Sequence, residues 1–350
     1  MSSGWIETRA WLNEHRWELA ASAARLYPSA ARVAGTGLLA DPSWLPDTAV
    51  PLETIRLEWS EEPIDWSIRG DEAARFEITA GFARYSDALR ALTPPRVFDN
   101  RLCYGLRSIQ EPKRTMAFSA VPYFANIDIG EAVAHEFADA VRHGHNGDLP
   151  LRRAIGDPLD ISRRPLPVAL STLVLRDNKE MLLHWRDPAK AASGGGLYQV
   201  APVGVFQPSD DAQWNVANDF DLWRSIQREM HEELLGGSED YGSSAKPIDY
   251  SGWEFTRILD RAREKGEVTA VWLGAGVDPL TLVADLLCCV SIKASVFDEV
   301  FAGLVTGNDE GITLTAPFTR ESVNHYSSRE PMQPAGTALL RLAYSHVGGG

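Results

Sequence analysis

Cysteine is scarce in this chain of 350 residues, which contains only Cys103, Cys288 and Cys289. No two of them have the spacing of a zinc site, and three cysteines do not make the disulfide framework of a small secreted domain. Cys288 and Cys289 lie within an apolar run. We therefore expect all three to be buried as small apolar side chains in a reducing compartment.

Long apolar runs are missing as well. No stretch approaches the roughly 18 consecutive apolar residues that a membrane-spanning helix requires. Residues 1–12 lack the apolar core and cleavage site of a secretory signal. These two absences predict a cytoplasmic protein without a membrane span.

Positive charge is in deficit, because 34 Lys and Arg residues face 48 Asp and Glu residues and give a net charge of −14. Non-specific nucleic-acid binding depends on clustered Lys and Arg. Residues 1–33 also show no convincing helix-turn-helix pattern. We therefore expect no direct nucleic-acid binding. A nucleotide remains compatible with the charge, because a bound divalent cation offsets the negative charge of such a ligand.

The length predicts two domains of ordinary globular composition. A run rich in Pro and Arg at residues 148–168 marks the boundary. It separates an N-terminal α+β accessory domain, residues 1–165, from a second domain, residues 166–350. In the second domain, apolar patterns predict strands at 168–175, 181–185, 197–206, 269–275 and 311–315, and helices at 220–235, 280–289, 297–305 and 334–344. This order predicts an α/β sandwich with a mixed sheet.

The predicted helix at 220–235 places three acidic side chains close together. Glu229 and Glu233 are four residues apart and lie on the same side of the helix, with Glu232 beside them. Like charges repel at this spacing, and Mg²⁺ or Mn²⁺ would relieve the repulsion by binding carboxylate oxygens together with substrate phosphates. Arg228 can brace one of the carboxylates. An acidic helix face exposed to solvent is the simpler alternative.

Residues 228–236 read REMHEELLG, and a Pro-Val-Gly segment ending at Gly204 lies upstream. This part of the chain resembles the signature of the Nudix hydrolase superfamily, which is a Gly, five residues, a Glu, seven residues and then Arg-Glu-apolar-x-Glu-Glu-x-Gly. The second half matches except that the final Gly is one place late. In the first half, Asp210 stands where the family has Glu. Seventeen residues, 211–227, then separate Asp210 from Arg228, which requires a loop insertion.

The resemblance implies a Nudix-like α/β/α sandwich that binds Mg²⁺ or Mn²⁺ through Glu229, Glu232 and Glu233. It also implies hydrolysis of a nucleoside diphosphate linked to another group, with Arg228, Glu232 and Glu233 as the catalytic residues.

The resemblance further implies that Gly204 and Asp210 contact the nucleotide-like ligand. Arg186 and Tyr198 lie on or beside the predicted sheet near the motif. An aromatic side chain and an arginine in such a position could stack a base, and packing in the core is the alternative for both.

Three functional hypotheses follow. The first is a Nudix-type hydrolase whose accessory domain covers the substrate cleft or mediates homodimer formation. The second is a non-catalytic Nudix-like sensor of a nucleotide or other small molecule that acts as a regulator through a protein partner. The chain is also similar, over most of its length, to actinobacterial Nudix-like proteins often labelled transcriptional regulators. The third is an interaction protein with a vestigial Nudix core.

Overall fold

The computed structural model describes residues 2–62, 65–95, 98–111, 113–144, 148–187, 195–307 and 311–347. In chain order the strands are β1 (Ala31–Arg32), β2 (Leu39–Ala40), β3 (Val50–Pro51), β4 (Arg56–Ser60), β5 (Leu102–Gln110), β6 (Thr115–Pro122), β7 (Val168–Arg176), β8 (Glu180–Arg186), β9 (Tyr198–Val200), β10 (Val203–Val205), β11 (Val268–Val277), β12 (Ala284–Ile292) and β13 (Gly311–Pro317). The α-helices are α1 (Ser2–Glu14), α2 (Arg16–Ala23), α3 (Tyr85–Leu92), α4 (Ala132–His143), α5 (Pro150–Ile155), α6 (Gln213–Asn218), α7 (Leu222–Glu229), α8 (Glu254–Glu264), α9 (Ala294–Val300), α10 (Arg320–Ser328) and α11 (Pro334–Val347).

The larger sheet has the order β1-β2-β11-β12-β7-β8-β13, with β3 paired to β11, β10 to β7 and β9 to β8. The β12–β7 pair is parallel, and the other pairs in this sheet are antiparallel. Helices pack on this mixed sheet, so the predicted α/β class is confirmed. No helix among the described residues is both long and apolar enough to cross a membrane.

Strand β12 is covered on both of its faces. Leu286 and Cys288 belong to the core cluster that contains α7 and α8, whereas Leu287 and Cys289 belong to the cluster beneath α11. The prediction of a helix at 280–289 is therefore wrong. A strand that is buried on both sides has a continuous apolar sequence without alternation, so its periodicity does not distinguish it from a buried helix. All three cysteines are free and buried, as expected.

The predicted third strand at 197–206 consists of two short strands, β9 and β10, separated by Ala201 and Pro202. Proline has no N–H group to donate to a neighbouring strand, so the ladder is interrupted at this point. Strand β10 then pairs with β7, and its Gly204 lies opposite Leu170. This pairing fixes the position of Gly204 in the sheet.

Residues from the predicted accessory domain complete the larger sheet, because β1, β2 and β3 all join it. Strands β4, β6 and β5 form a second sheet. The two sheets are connected by main-chain hydrogen bonds from Tyr104 N to Phe206 O, at 3.0 Å, and from Leu106 N to Leu166 O, at 2.9 Å. One core cluster runs through both parts of the chain. The division at residue 165 stays a prediction, and the two parts share a sheet and a core.

The helices near the N-terminus pack together around a buried ionic cluster. Glu131 accepts hydrogen bonds from Arg9 of α1 and from Arg16 of α2. Glu131 directly precedes α4, at the end of a π-helical segment, Asn126–Glu131. This cluster ties three helices to one another.

Candidate functional site

Helix α7 is capped at its N-terminus by Asp221, whose side chain accepts a hydrogen bond from the main-chain N–H of Arg224. Leu222, Ile226 and Met230 recur at intervals of four and are buried in the core. The helix continues as one π-helical segment, Met230–Leu234, which carries Glu232 and Glu233. Segments of this kind often occur at functional sites. The amphipathic pattern thus orients the helix and leaves its polar side facing β10 and the preceding loop.

Arg228 lies at the centre of the polar side, and its side chain is only 3% exposed. Its Nη2 donates a hydrogen bond of 2.8 Å to the carbonyl oxygen of Gln207. Three carboxylates surround the guanidinium. They belong to Asp219, with Oδ2 at 3.8 Å from Nη1, Glu232, with Oε1 at 3.8 Å from Nε, and Glu229, with Oε1 at 4.0 Å from Nη2. The guanidinium of Arg228 therefore lies within 4.0 Å of three carboxylates.

Asp219 is the acid that the sequence reasoning missed. It is fully buried, and its Oδ2 accepts hydrogen bonds from the N–H and hydroxyl of Ser209, at 2.7 and 2.6 Å. Its Oδ1 accepts one from the Tyr250 hydroxyl at 2.9 Å. Asp210 instead accepts a hydrogen bond of 3.0 Å within its own loop, from the main-chain N–H of Ala212. The available signal was spacing, because eight residues separate Asp219 from Arg228, one more than in the Nudix signature.

Gly204 lies directly against Glu229. A Cβ atom at Gly204 would come within 1.9 Å of the Glu229 carboxyl carbon, so any side chain there would occupy the space of the carboxylate. The structure thus brings Gly204 together with the acidic cluster. The predicted contact of Gly204 with a nucleotide-like ligand stays a prediction.

Burial raises the pKa of the Glu229 carboxyl well above its ordinary value, and the neighbouring Glu232 carboxylate adds to the effect while Arg228 opposes it. Burial also raises the pKa of Glu232, against the lowering effects of a hydrogen bond from Tyr241 and of Arg228. The Tyr241 hydroxyl donates that bond to Oε1 of Glu232 at 2.6 Å. Two adjacent carboxyl groups therefore resist ionising together.

Glu233 contacts the first residue of β10. Its Oε1 accepts a hydrogen bond of 3.2 Å from the main-chain N–H of Val203 in β10. Glu232 and Glu233 are therefore hydrogen-bonded to Tyr241 and Val203, respectively, whereas Glu229 packs against Gly204.

The chemistry of the donors decides whether a divalent cation fits here. Among the residues that the structure describes, no group of three or more His, Cys, Asp or Glu side chains is arranged to hold a metal ion. Mg²⁺, however, usually binds to one or two protein carboxylates and completes its shell with water and substrate phosphates. The Glu229–Glu232 pair offers such hard oxygen ligands, and its mutual repulsion is what a cation would relieve. The pair fits an open Mg²⁺ site rather than a closed cage.

The remaining predicted ligand contacts lie elsewhere. Tyr198 packs edge-on against Tyr326, with ring centroids 5.4 Å apart, in the core beneath α11. Arg186 is the last residue of β8 and pairs in register with Gly311 of β13. The structure brings together Gly204, Arg228 and the three glutamates, whereas Tyr198 packs on Tyr326. The base-stacking role of Arg186 and Tyr198 stays a prediction.

No family model matches the chain, and no curated protein matches it either.

Proposed function

We propose that residues 166–350 form a divergent Nudix-like domain that hydrolyses a nucleoside-diphosphate-linked substrate with the help of Mg²⁺ or Mn²⁺. The observation that supports this proposal is the charge imbalance around Arg228, where one guanidinium faces the carboxylates of Asp219, Glu229 and Glu232. A bound cation would compensate this charge and attract the diphosphate of the substrate.

Glu229 and Glu232 would hold the metal, with Glu233 next to them. When bound, the cation supplies Lewis-acid chemistry, which polarises a phosphate oxygen and lowers the pKa of an attacking water. Arg228, fixed by the Gln207 carbonyl, orients the two carboxylates. Gly204 leaves the space that the Glu229 carboxylate needs. Glu233, positioned by Val203, is the residue placed to accept a proton from the water as a general base.

A specific observation favours the second hypothesis, a sensor without turnover. Oxygens of Glu232 and Glu233 already accept hydrogen bonds from Tyr241 and Val203 within the protein. Carboxylates held in this way could bind a nucleotide–metal complex and report it to a partner, yet lack the freedom to take up a proton.

Product analysis with a panel of nucleoside-diphosphate compounds tests the proposal. The wild-type protein should release products in the presence of Mg²⁺, and Glu232→Gln and Glu233→Gln should each abolish the release. Glu254→Gln, which alters an exposed glutamate at the start of α8, is the matched control and should retain it. Ligand-induced thermal stabilisation without products would support the sensor, and the absence of both would refute the two nucleotide hypotheses.

A further inference from the structure

A cavity of about 630 Å³ lies between the second sheet and the loop that leads into α7. None of the three glutamates of the acidic cluster lines it. The described residues around it include Trp59, Glu61, Glu62, Trp66, Gln213 and Phe220. This volume is in the range of small-molecule sites, which span roughly 300–1,000 Å³.

One side of the cavity is a rigid aromatic surface. The Trp59 ring meets Phe220 and Tyr104 edge-on, with centroid distances of 5.6 and 5.8 Å. The Tyr104 hydroxyl donates a hydrogen bond of 2.9 Å to the carbonyl oxygen of Val216, which fixes the helix α6 that forms the adjacent wall. Aromatic pairs of this geometry favour one arrangement of the rings. The surface is therefore already formed without a ligand.

The charge on the cavity is of one sign. Glu61 and Glu62 are exposed at the end of β4, and the half-buried Trp66 follows them along the chain. Among the described residues that line the cavity there is no lysine or arginine. Elsewhere in the molecule a tryptophan is covered by a cation of the protein itself, since Arg263 lies 5.1 Å above the ring of Trp223. The cavity offers two indole rings and two carboxylates to a cation from outside.

We infer that this cavity binds a small organic cation with an apolar body, such as a quaternary ammonium or substituted amine compound. Aromatic faces attract cations through their quadrupole, and the attraction increases when the site is partly desolvated. The carboxylates of Glu61 and Glu62 attract the positive charge of the ligand. The hydroxyls of Ser60 and Ser119 and the amide of Gln213 can form hydrogen bonds with polar groups of the ligand. This inference is independent of the proposed hydrolase function.

Isothermal titration of the full chain with three probes that share one ring tests the inference. The probes are benzyltrimethylammonium, benzyl alcohol and benzoate, which carry a positive charge, no charge and a negative charge. The cation should bind saturably and quench the fluorescence of the lining tryptophans, the alcohol should bind several-fold more weakly, and benzoate should not bind.

Two doubly substituted proteins separate the local charge from the overall charge. Glu61→Gln/Glu62→Gln should weaken binding of the cation roughly fivefold or more. Glu18→Gln/Glu299→Gln removes the same net charge at exposed positions outside the cavity lining and should leave the affinity unchanged. Far-ultraviolet circular dichroism confirms that both proteins are folded. Equal affinity for the cation and the alcohol, equal weakening in both double variants, or no saturable binding would each overturn the inference.

Discussion

The pKa values of two largely buried glutamates in this molecule are shifted in opposite directions. The side chains of Glu131 and Glu229 are almost equally shielded, at 13% and 12% exposed, and burial alone would raise the pKa of both. Arg16 and Arg9 overcome the burial of Glu131 and lower its pKa to about 2. The pKa of Glu229 is raised because Glu232 adds to the effect of burial and only Arg228 opposes it. Exposure therefore does not explain the difference.

The number of cations around each carboxylate does explain it. Two arginines contact the single acid Glu131, whereas one guanidinium, that of Arg228, lies within 4.0 Å of three acids. Arg101 adds a smaller lowering effect on the pKa of Glu232. In the first cluster two arginines of the protein compensate the negative charge of Glu131, and the cluster holds three helices together. The second cluster is short of positive charge, and we propose that a divalent cation supplies it.

The largest effect is expected from Glu131→Gln. This substitution leaves two buried arginines without their carboxylate, and breaking a buried ion pair in this way costs about 3–5 kcal/mol. Urea unfolding monitored by circular dichroism measures the loss of unfolding free energy. Glu7→Gln, which breaks the more exposed ion pair between Glu7 and Arg142, is the control and should cause little change. Similar losses in the two variants would show that the buried cluster is not the structural centre of this region.

Glu229→Gln should change the unfolding free energy in the opposite direction to Glu131→Gln, in metal-free protein at neutral pH. The substitution removes one of two carboxylates that repel each other, so the unfolding free energy should rise. We expect this gain to be smaller than the loss caused by Glu131→Gln, because Arg228 keeps Asp219 and Glu232 as partners. Urea unfolding in the presence of a chelator checks this. A loss of stability as large as that of Glu131→Gln would remove the contrast between the two clusters.

The two variants should also differ in how their effects depend on pH. The folded pKa of Glu131 lies below its ordinary value of 4.5, so its stabilising contribution is present above pH 4.5 and is lost as the pH falls towards 2. The folded pKa of Glu229 lies above 4.5, so its destabilising contribution is absent below pH 4.5 and develops as the pH rises through that value. The unfolding free energy of each variant is subtracted from that of wild type at each pH. The difference for Glu131→Gln should change below pH 4.5, and the difference for Glu229→Gln should change above it. Two curves that change on the same side would contradict the assignment.

The smallest effect is expected from Tyr241→Phe, which removes the hydrogen bond to Glu232 and preserves the ring. A hydrogen bond to a carboxylate contributes about 1.5–3 kcal/mol to stability. The variant should lose at most that much unfolding free energy. It should still bind Mg²⁺ or Mn²⁺, because Tyr241 is not proposed as a ligand of the metal. Complete loss of cation binding would instead make Tyr241 part of the site.

The local features of the site could be predicted from the sequence. The four-residue spacing of apolar side chains in α7 sets which side of the helix faces the core, and that fixes where Arg228 and Glu229 point. Glu232 lies in the π-helical segment that follows, which this spacing does not predict. These inferences depend on short stretches of chain.

Features that depend on distant parts of the chain could not be predicted. Asp219 lies beside Arg228 because the inserted loop forms the short helix α6 and returns to the site. The spacing from Arg228 makes Asp219 a candidate, but the path of the loop depends on contacts with distant parts of the chain. Strand β12 has no alternation because both of its faces are buried. Strands β1 to β3 contain two residues each, so their pairing with the larger sheet has too little local sequence to indicate it.

Titration of Mn²⁺ into metal-free protein, followed by electron paramagnetic resonance, tests the central claim most directly. Wild type and Glu131→Gln that has been confirmed as folded should bind one ion saturably, whereas Glu229→Gln should not. Gly204→Ala should also lose the ion, because the new methyl group displaces the Glu229 carboxylate, and the control Gly303→Ala, which meets no atom within 4 Å, should retain it. Binding that is unchanged in Glu229→Gln and Gly204→Ala, or absent from wild type, would contradict the account.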